Sequence, residues 1–318
     1  MRYTEDQLRR MASPIGKNED ERCKHAICMV RDALETMDYI ANGNVIKTYL
    51  EESYSYTLDL RKIMSNRKIT LLVQGSYANK TNIPSESDVD VAVILESTFF
   101  PEFRPGVGNA QYGFTEGTFS VYELKNEVET ALKKKFGLEG VERHNKCIKV
   151  TGNTYRVDAD VVPAYRYKDY TQDIYNDVNN YTSGIKIVSD DNECIINYPE
   201  QHIENGIIKN KNTGYSFKKC VRIIKSIRED MIKNGCRVSS NISSFGLESL
   251  LWNIDDSIYK RFSNLEFILE EIVSYLKRET SKFESYMEIN GIKELFDSDS
   301  IKNEYIDFIN DLHDFIEL

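Results

Sequence analysis

The stretch from Leu71 to Leu95, LLVQGSYANKTNIPSESDVDVAVIL, constrains the fold of this chain more than any other segment. A short apolar run ends at Gly75-Ser76, and such an ending is typical of a strand followed by a turn. A second apolar run begins at Val89 and is long enough for a buried strand. The stretch therefore predicts a strand, a turn, a short helix, a loop and a second strand.

Two acidic residues, Asp88 and Asp90, lie at the start of the second predicted strand. Side chains two positions apart leave the same face of a strand, so both carboxylates point the same way. A third acid, Asp160, belongs to a later predicted strand and can join them. Three carboxylates with no matching basic residue nearby in sequence repel one another unless a cation neutralises them. Magnesium is the expected cation, because it prefers hard oxygen ligands.

Three acids can hold two divalent ions about 4 Å apart, which is the arrangement that serves phosphoryl and nucleotidyl transfer. We therefore expect two Mg²⁺ ions, with Mn²⁺ as an alternative, at these three aspartates. A bare pair of acids is more often an ordinary solvated strand end. The Gly75-Ser76 turn favours the functional interpretation, because a helix that starts there points free N–H groups and a hydroxyl at a phosphate.

The composition favours a globular chain of one large domain or two moderate ones. Of its 318 residues, 41% are hydrophobic and 29% are charged, which suits a chain with a packed core. No apolar run reaches the roughly 18 residues of a membrane span, and no apolar signal core is present, so we expect a cytoplasmic protein. The six cysteines form no CxxC pair, which predicts free thiols and no zinc site. A net charge of −10 argues against a protein that coats duplex nucleic acid.

The periodicity of apolar residues predicts the remaining elements. Before residue 197 these are an irregular lead-in over 1–18, helical structure over 18–66 (with Val45, Tyr49, Tyr56, Leu60 and Ile63 on its second part), a loop over 97–118, a helix from Phe119 to Phe136, a hairpin over 141–150, and a strand from Tyr155 that stops at Pro163. The aromatic residues of the loop either pack it down or form part of a lid. After Pro199 the pattern is helical, with helices over 217–233, 245–252, 257–280 and 299–316.

The order of these motifs resembles that of the polymerase-β-like nucleotidyltransferases, in which a Gly-Ser turn, a DxD pair and a later single acid follow one another. Asp160-Val161-Val162-Pro163-Ala164 is similar to the third-acid motif of the branch that contains oligoadenylate synthetase and cyclic GMP-AMP synthase. The helix around Lys225 resembles the phosphate-binding helix of that branch, and Ser243 to Leu250 resembles its serine-plus-glutamate helix start. The chain is identified as a member of the bacterial CD-NTases, the cGAS/DncV-like synthases of cyclic oligonucleotides.

The resemblance implies an α+β fold with a mixed β-sheet, a long N-terminal helix and a C-terminal helical domain. Residues 1–197 would form the N-terminal helix and the nucleotidyltransferase catalytic core. Residues 198–318 would form a helical domain like that of oligoadenylate synthetase. The active site is expected in the cleft between the two.

The resemblance also implies a role for each matching acid. Asp88 and Asp90 would bind both metal ions, and Asp160 would bind the catalytic ion beside the attacking hydroxyl. Asp158 competes for this last role, because strand alternation alone cannot separate it from Asp160. The family motif favours Asp160, which stands directly before the apolar pair and the proline.

The same comparison assigns four residues to the nucleotide. Gly75 and Ser76 would hold the triphosphate. Lys225 would contact the β- and γ-phosphates, and Ser244 would donate a hydrogen bond to them.

The implied activity is the synthesis of a cyclic di- or trinucleotide second messenger from NTPs, with release of pyrophosphate, in anti-phage (CBASS) signalling. The implied partners are the NTP substrates and a downstream effector protein that binds the product. The sequence has no zinc-binding insertion of the kind used for DNA sensing. Either linkage, 2′-5′ or 3′-5′, is compatible with the motifs. One alternative keeps the fold and transfers the nucleotide to a tRNA, a protein or a small molecule; another is a degenerate domain that only binds RNA or a partner.

Five further side chains are compatible with a role in the site or with an ordinary core or surface position. Tyr165 and Tyr215 are candidates for stacking on a base, although core packing is the commoner role of such residues. His202 is expected to be structural. Lys218 and Lys219 are expected at the surface, whereas Lys225 lies among apolar neighbours on the inward side of the same predicted helix.

Overall fold

A computed structural model describes residues 2–41, 47–48, 52–84, 88–117 and 121–317. The chain divides into two compact units. The core unit comprises Gly16–Ala78 and Ser87–Glu200, and the helical unit comprises Met1–Ile15, Asn79–Glu86 and Gln201–Leu318. Two short segments before residue 197 thus group with the helical unit, whereas the sequence-based division assigns them to the catalytic core.

The core unit is built on a mixed β-sheet. Its strands are β1 Tyr39–Ala41, β2 Lys47–Thr48, β3 Tyr56–Lys62, β4 Lys68–Gln74, β5 Val89–Phe103, β6 Val141–Arg143, β7 Ile148–Val150, β8 Ala159–Tyr170, β9 Thr182–Val188 and β10 Cys194–Asn197. The main path of the sheet is β1-β3-β4-β5-β8-β7-β6; β2 pairs with β3, β9 with β8, and β10 with β9. β5 and β8 are parallel, and the other pairs are antiparallel. The predicted α+β core with a mixed sheet is confirmed.

Most of the helices lie where the sequence predicts them. They are α1 Glu5–Ala12, α2 Lys17–Glu35, α3 Gly75–Asn79, α4 Asn109–Tyr112, α5 Val121–Phe136, α6 Pro199–Asn212, α7 Phe217–Lys233, α8 Val238–Asn241, α9 Ser244–Trp252, α10 Asp256–Lys260, α11 Leu265–Arg278 and α12 Asp299–Glu317. The predicted helix over 217–233 is confirmed as α7. Ser243 caps α9 as predicted, because its Oγ accepts a hydrogen bond from the Gly246 amide at 2.9 Å. Phe119, the predicted start of the helix that becomes α5, lies outside the described residues.

Two helix predictions need correction. The single helix expected over 257–280 is divided into α10 and α11. The division follows from Asn264, whose side chain accepts a hydrogen bond from the Glu266 amide and so starts a new helix. The irregular lead-in expected over 1–18 contains α1, which Thr4 and Gln7 begin with a capping box.

The helical prediction over 18–66 is correct only in its first part, which forms α2. The second part forms the antiparallel strands β1 to β3. In β3, alternate residues Leu58 and Leu60 are buried, so the period is two, although Leu60 and Ile63 also match a helical spacing. Val45 and Tyr49, the other predicted members of that helix, lie outside the described residues.

The predicted loop over 97–118 is wrong at its start, because β5 continues to Phe103. The strand shifts register between Leu95 and Phe99, and its second part pairs with Arg166–Tyr170 of β8. A long partner strand thus overrides the local loop signals of this segment. The rest of the loop is packed down by aromatic rings: Tyr112 stacks on Phe103.

The strand predicted to stop at Pro163 also continues, as β8, to Tyr170. On one side of β8, β7 pairs as far as Val161, and β9 pairs only from Tyr165 onwards. Pro163 lies after the last residue that pairs with β7 and before the first residue that pairs with β9. Its missing N–H therefore interrupts no antiparallel ladder on that side of β8. A proline inside this central strand is therefore tolerated.

The helical unit packs around α7. Its apolar cluster combines α7 with α1, α9, α11 and α12, and the inward residues Val221, Ile224 and Ile227 of α7 are fully buried. The six cysteines of the chain are free thiols, as predicted. Within the described part of the chain, no helix has the length and apolar character needed to cross a bilayer.

Candidate active site

The predicted catalytic acids lie at the start of two neighbouring parallel strands. Asp90 of β5 stands opposite Asp160 of β8 in the strand register, and the Val89 amide donates a hydrogen bond to the Asp158 carbonyl at 3.1 Å. Residues on the other face of both strands, Val89 and Val161 among them, are fully buried. The two acids are only partly buried. At the start of these strands, alternation therefore places carboxylates on one face and buried apolar side chains on the other.

Gly75 lies directly against one of these carboxylates. It follows β4, begins α3 and has a left-handed φ of +72°, which glycine adopts without steric cost. A Cβ at this position would lie 2.0 Å from Oδ2 of Asp90. The Gly-Ser turn therefore meets Asp90 of the acid pair, and the glycine is required by both its φ and its neighbour.

Gly75→Ala is expected to lower the rate of nucleotidyl transfer about 100-fold, because displacing a reacting group by about 1 Å has an effect of that order. Steady-state kinetics with NTP measures the change. Gly106→Ala is the matched control: Gly106 has a similar φ of +80°, but nothing lies within 4 Å of an added Cβ. Equal losses in the two variants would contradict a specific role for the contact with Asp90.

The competing acid, Asp158, has partners of its own. Its Oδ1 accepts a hydrogen bond from the Gly152 amide at 2.6 Å, and its Oδ2 lies 2.8 Å from Nζ of Lys149. Burial acts to raise the pKa of Asp158, but these hydrogen bonds outweigh it and the pKa lies below its ordinary value. Asp158 thus closes the turn before β8, which supports the choice of Asp160 as the third acid.

Lys149 is a site residue that the sequence reasoning missed. It stands opposite Asp160 in the β7–β8 pair, and its hydrogen bond to Asp158, together with the charges of Asp158, Asp160 and Asp88, raises its pKa. The signal was present in the strand pattern of Cys147-Ile148-Lys149-Val150, where Ile148 and Val150 are buried. Lys149 must then share the face of the carboxylates.

The carboxylates are suited to a hard divalent ion by chemistry and by position. All the donors are oxygen atoms, as Mg²⁺ requires, and the strand register brings Asp90 and Asp160 side by side. In their present rotamers, the His, Cys, Asp and Glu side chains of the described residues form no group of three around a common ion position. The suitability of the site for a divalent ion is therefore argued from the carboxylate oxygens and from the strand backbone that brings Asp90 and Asp160 side by side.

The predicted phosphate-binding residues Lys225 and Ser244 belong to the helical unit. Lys225 lies on α7 and is 1% exposed, so its predicted inward position is confirmed. Ser244 is the first residue of α9. Asp88, Asp90, Asp160, Gly75 and Ser76 belong to the core unit.

The exposure of four further side chains bears on their expected roles. Lys219 is exposed as expected, but Lys218 is buried, on the face of α7 that also carries the buried Arg222 and Lys225. Tyr165 is 2% exposed and packs edge-to-face on Phe100, so it is a core residue and not a stacking platform. Tyr215 is exposed in the turn before α7.

His202 has a structural environment, as expected. Its Nε2 lies 3.2 Å from Oε1 of Glu248, and its ring packs edge-to-face on Phe245. The hydroxyl of Thr81 donates to the other oxygen of Glu248 at 2.8 Å. All four residues belong to the helical unit.

Comparisons with known proteins find relatives of both parts of the chain. Residues 59–182 match the nucleotidyltransferase domain, and residues 204–317 match the cGAS/DncV-like nucleotidyltransferase C-terminal helical domain. The cyclic GMP-AMP synthase CdnE03 of Staphylococcus schleiferi is 40% identical over 100% of this chain and 98% of its own.

Two solved structures are similar over nearly their full length. The CdnE cyclic dinucleotide synthase of Elizabethkingia meningoseptica, solved with GTP and Apcpp, has a TM-score of 0.74 and 28% identity over 99% of this chain and 100% of its own. The CdnE c-UMP-AMP synthase of Rhodothermus marinus, solved with Apcpp and Upnpp, has a TM-score of 0.76 and 26% identity over 98% and 96%. The chain described here belongs to the cGAS/DncV-like nucleotidyltransferases, the CD-NTase family.

Proposed function

We propose that this chain joins two NTPs into a cyclic dinucleotide by two successive nucleotidyl transfers. The observation that carries the proposal is the register that sets Asp90 beside Asp160, with Gly75 against the Asp90 carboxylate. The names of three relatives support the product class, since they describe synthases of cyclic GMP-AMP, of a cyclic dinucleotide and of c-UMP-AMP. The product would be a second messenger for an effector protein in anti-phage signalling.

Asp88, Asp90 and Asp160 would hold two Mg²⁺ ions. When bound, such ions lower the pKa of an attacking hydroxyl and neutralise charge on a triphosphate. Lys149, held by Asp158, reduces the mutual repulsion of the carboxylates beside it. Asp160 orients the attacking ribose hydroxyl from β8.

The remaining residues hold the triphosphate. Gly75 allows the backbone to approach it closely, and the Ser76 hydroxyl donates to a phosphate oxygen. Lys225 and Ser244 bind the β- and γ-phosphates. The ribose oxygen forms a bond to the α-phosphorus, the bond from that phosphorus to the bridging oxygen breaks, and pyrophosphate leaves. A second transfer within the linear intermediate closes the ring.

The proposal is tested by incubating the protein with the four labelled NTPs and Mg²⁺. We expect release of pyrophosphate and a labelled product that resists phosphatase, because a ring has no terminal phosphate. Label that enters an added tRNA or protein would favour transfer to a macromolecule. Binding of Mg²⁺-NTP without pyrophosphate release would indicate a domain that binds nucleotide but does not react.

A further inference from the structure

A buried carboxylate in the helical unit has no part in the mechanism described above. Glu248 is the one charged residue in the sequence of α9, SFGLESLLW, and it is 1% exposed. Burying a charge among apolar residues is costly unless it is paired and hydrogen-bonded. An apolar side chain at this position would pack α9 equally well. The residues that Glu248 contacts should therefore explain why a charged residue stands at this position.

The partners of Glu248 come from three different segments. Its oxygens contact Nε2 of His202 on α6 at 3.2 Å and Oγ1 of Thr81 at 2.8 Å. It also interacts electrostatically with Lys225 on α7. One carboxylate thus connects the candidate phosphate-binding lysine with the segment around Thr81.

The segment around Thr81 links two parts of the candidate active site along the chain. It follows α3, which begins at the Gly75-Ser76 turn, and it precedes Asp88. Thr81 and Asn82 are buried. The carbonyl of the preceding residue, Lys80, accepts a hydrogen bond from the guanidinium of Arg222 on α7. Side chains of α7 and α9 therefore hold both residues 80 and 81.

Glu248 carries the negative charge that pairing with Lys225 and accepting a hydrogen bond from Thr81 require. Burial acts to raise its pKa, but interaction with His202 and Lys225 and the hydrogen bond from Thr81 hold the pKa at about 2. The carboxylate is therefore ionised at neutral pH. The buried charge of Lys225 is thus balanced by an anion that is also buried.

We propose that Glu248 is a positioning residue for triphosphate binding, which holds Lys225 in place as its buried counterion and anchors Thr81, a residue that lies along the chain between the phosphate-binding turn and the catalytic acids. Glu248 acts through these residues and does not touch the nucleotide. The proposal rests on the role of Lys225 in the proposed function.

The test measures the affinity of full-length variants for a non-hydrolysable NTP and for the matching nucleoside monophosphate by titration calorimetry. Glu248→Gln keeps the size of the side chain and one acceptor oxygen, but it removes the charge and replaces the second oxygen with an amide donor. We expect it to weaken binding of the triphosphate about tenfold and to leave the monophosphate unchanged. Glu229→Gln is the control, since Glu229 pairs with Arg228 on α7. Unchanged or tighter binding of the triphosphate to Glu248→Gln would overturn the proposal.

A double-mutant cycle distinguishes positioning from a general structural role. Lys225→Met alone should weaken triphosphate binding, and adding Glu248→Gln to it should cause a smaller further loss than Glu248→Gln causes in the wild type, because the carboxylate acts partly through the lysine and partly through Thr81. Independent, additive losses would show that Glu248 only supports the fold. Thr81→Val, which removes the hydroxyl, should weaken triphosphate binding, and Thr81→Ser should restore it. An intact Thr81→Val affinity would contradict the anchoring part.

The outcomes separate this proposal from the proposed function. If Lys225→Met binds the triphosphate normally, the phosphate role of Lys225 is wrong and the positioning role of Glu248 is overturned with it. If Lys225→Met is weakened and Glu248→Gln is not, only the positioning role is wrong. If the affinities follow the predicted pattern while the wild type makes no cyclic product, the positioning role stands and the proposed reaction is wrong.

Discussion

Replacing Asp88 and Asp90 together with Asn should abolish product formation. Asp88 directly precedes β5, and Asp90 of β5 adjoins Asp160 and Gly75. Asparagine keeps the shape but removes the negative charge that would hold a divalent ion in the proposed function. Loss of that ion removes several kcal/mol of transition-state stabilisation, so we expect a fall of at least about 10³-fold in rate.

The measurement is pyrophosphate release and product formation under saturating Mg²⁺ and NTP. Asp59→Asn is the control, because Asp59 lies in β3 of the same sheet and pairs with Lys68 and Thr70. Thermal unfolding checks that both variants remain folded. Activity retained in the Asp88→Asn, Asp90→Asn double variant would remove these acids from the mechanism.

Asp160→Asn and Asp158→Asn should differ sharply, although the two acids are only two residues apart. Asp160 stands beside Asp90 in the register, and its loss should lower the rate about 10³-fold. Asp158 is held by Lys149 and by the Gly152 amide. Its replacement should leave the rate within about tenfold of the wild type, since it changes only the surroundings of the site.

Steady-state rates of the two single variants, at equal Mg²⁺ concentration, make the comparison. The Mg²⁺ concentration that gives half-maximal rate should rise for Asp160→Asn and stay nearly constant for Asp158→Asn. The reverse order of effects would transfer the third-acid role to Asp158.

Local patterns were enough to predict the strands and the turn at the centre of the candidate site. The turn at Gly75 and the run from Val89 to Leu95 are short-range signals, and the structure has a strand on each side of that turn. The helix α7 was predictable for the same reason, since its apolar period is unbroken over Phe217–Lys233. These features depend on residues that are close in sequence.

The errors lie where distant segments decide the conformation. β5 passes through a segment with loop character because Arg166–Tyr170 of β8 supplies a partner for it. Pro163 fits inside β8 because β7 ends before it and β9 begins after it. Neither arrangement can be inferred from the local sequence alone, because each depends on which strand lies alongside.

The same reason explains why Glu248 had no assigned role. Its motif was recognisable at the start of α9, but its partners Thr81 and His202 are 167 and 46 residues away. Lys149 is an intermediate case. Its face could be predicted from strand alternation, whereas its ion pair with Asp158 needed the turn that closes between β7 and β8.

Mass spectrometry of the reaction product tests the central claim most directly. The full chain is incubated with the four NTPs and Mg²⁺, treated with phosphatase and analysed beside the Asp88→Asn, Asp90→Asn variant. The account predicts a product with the mass of two nucleoside monophosphates less two water molecules, present for the wild type and missing for the variant. A reaction that gives linear nucleotides and no cyclic product, or nucleotide attached to a macromolecule, would contradict it.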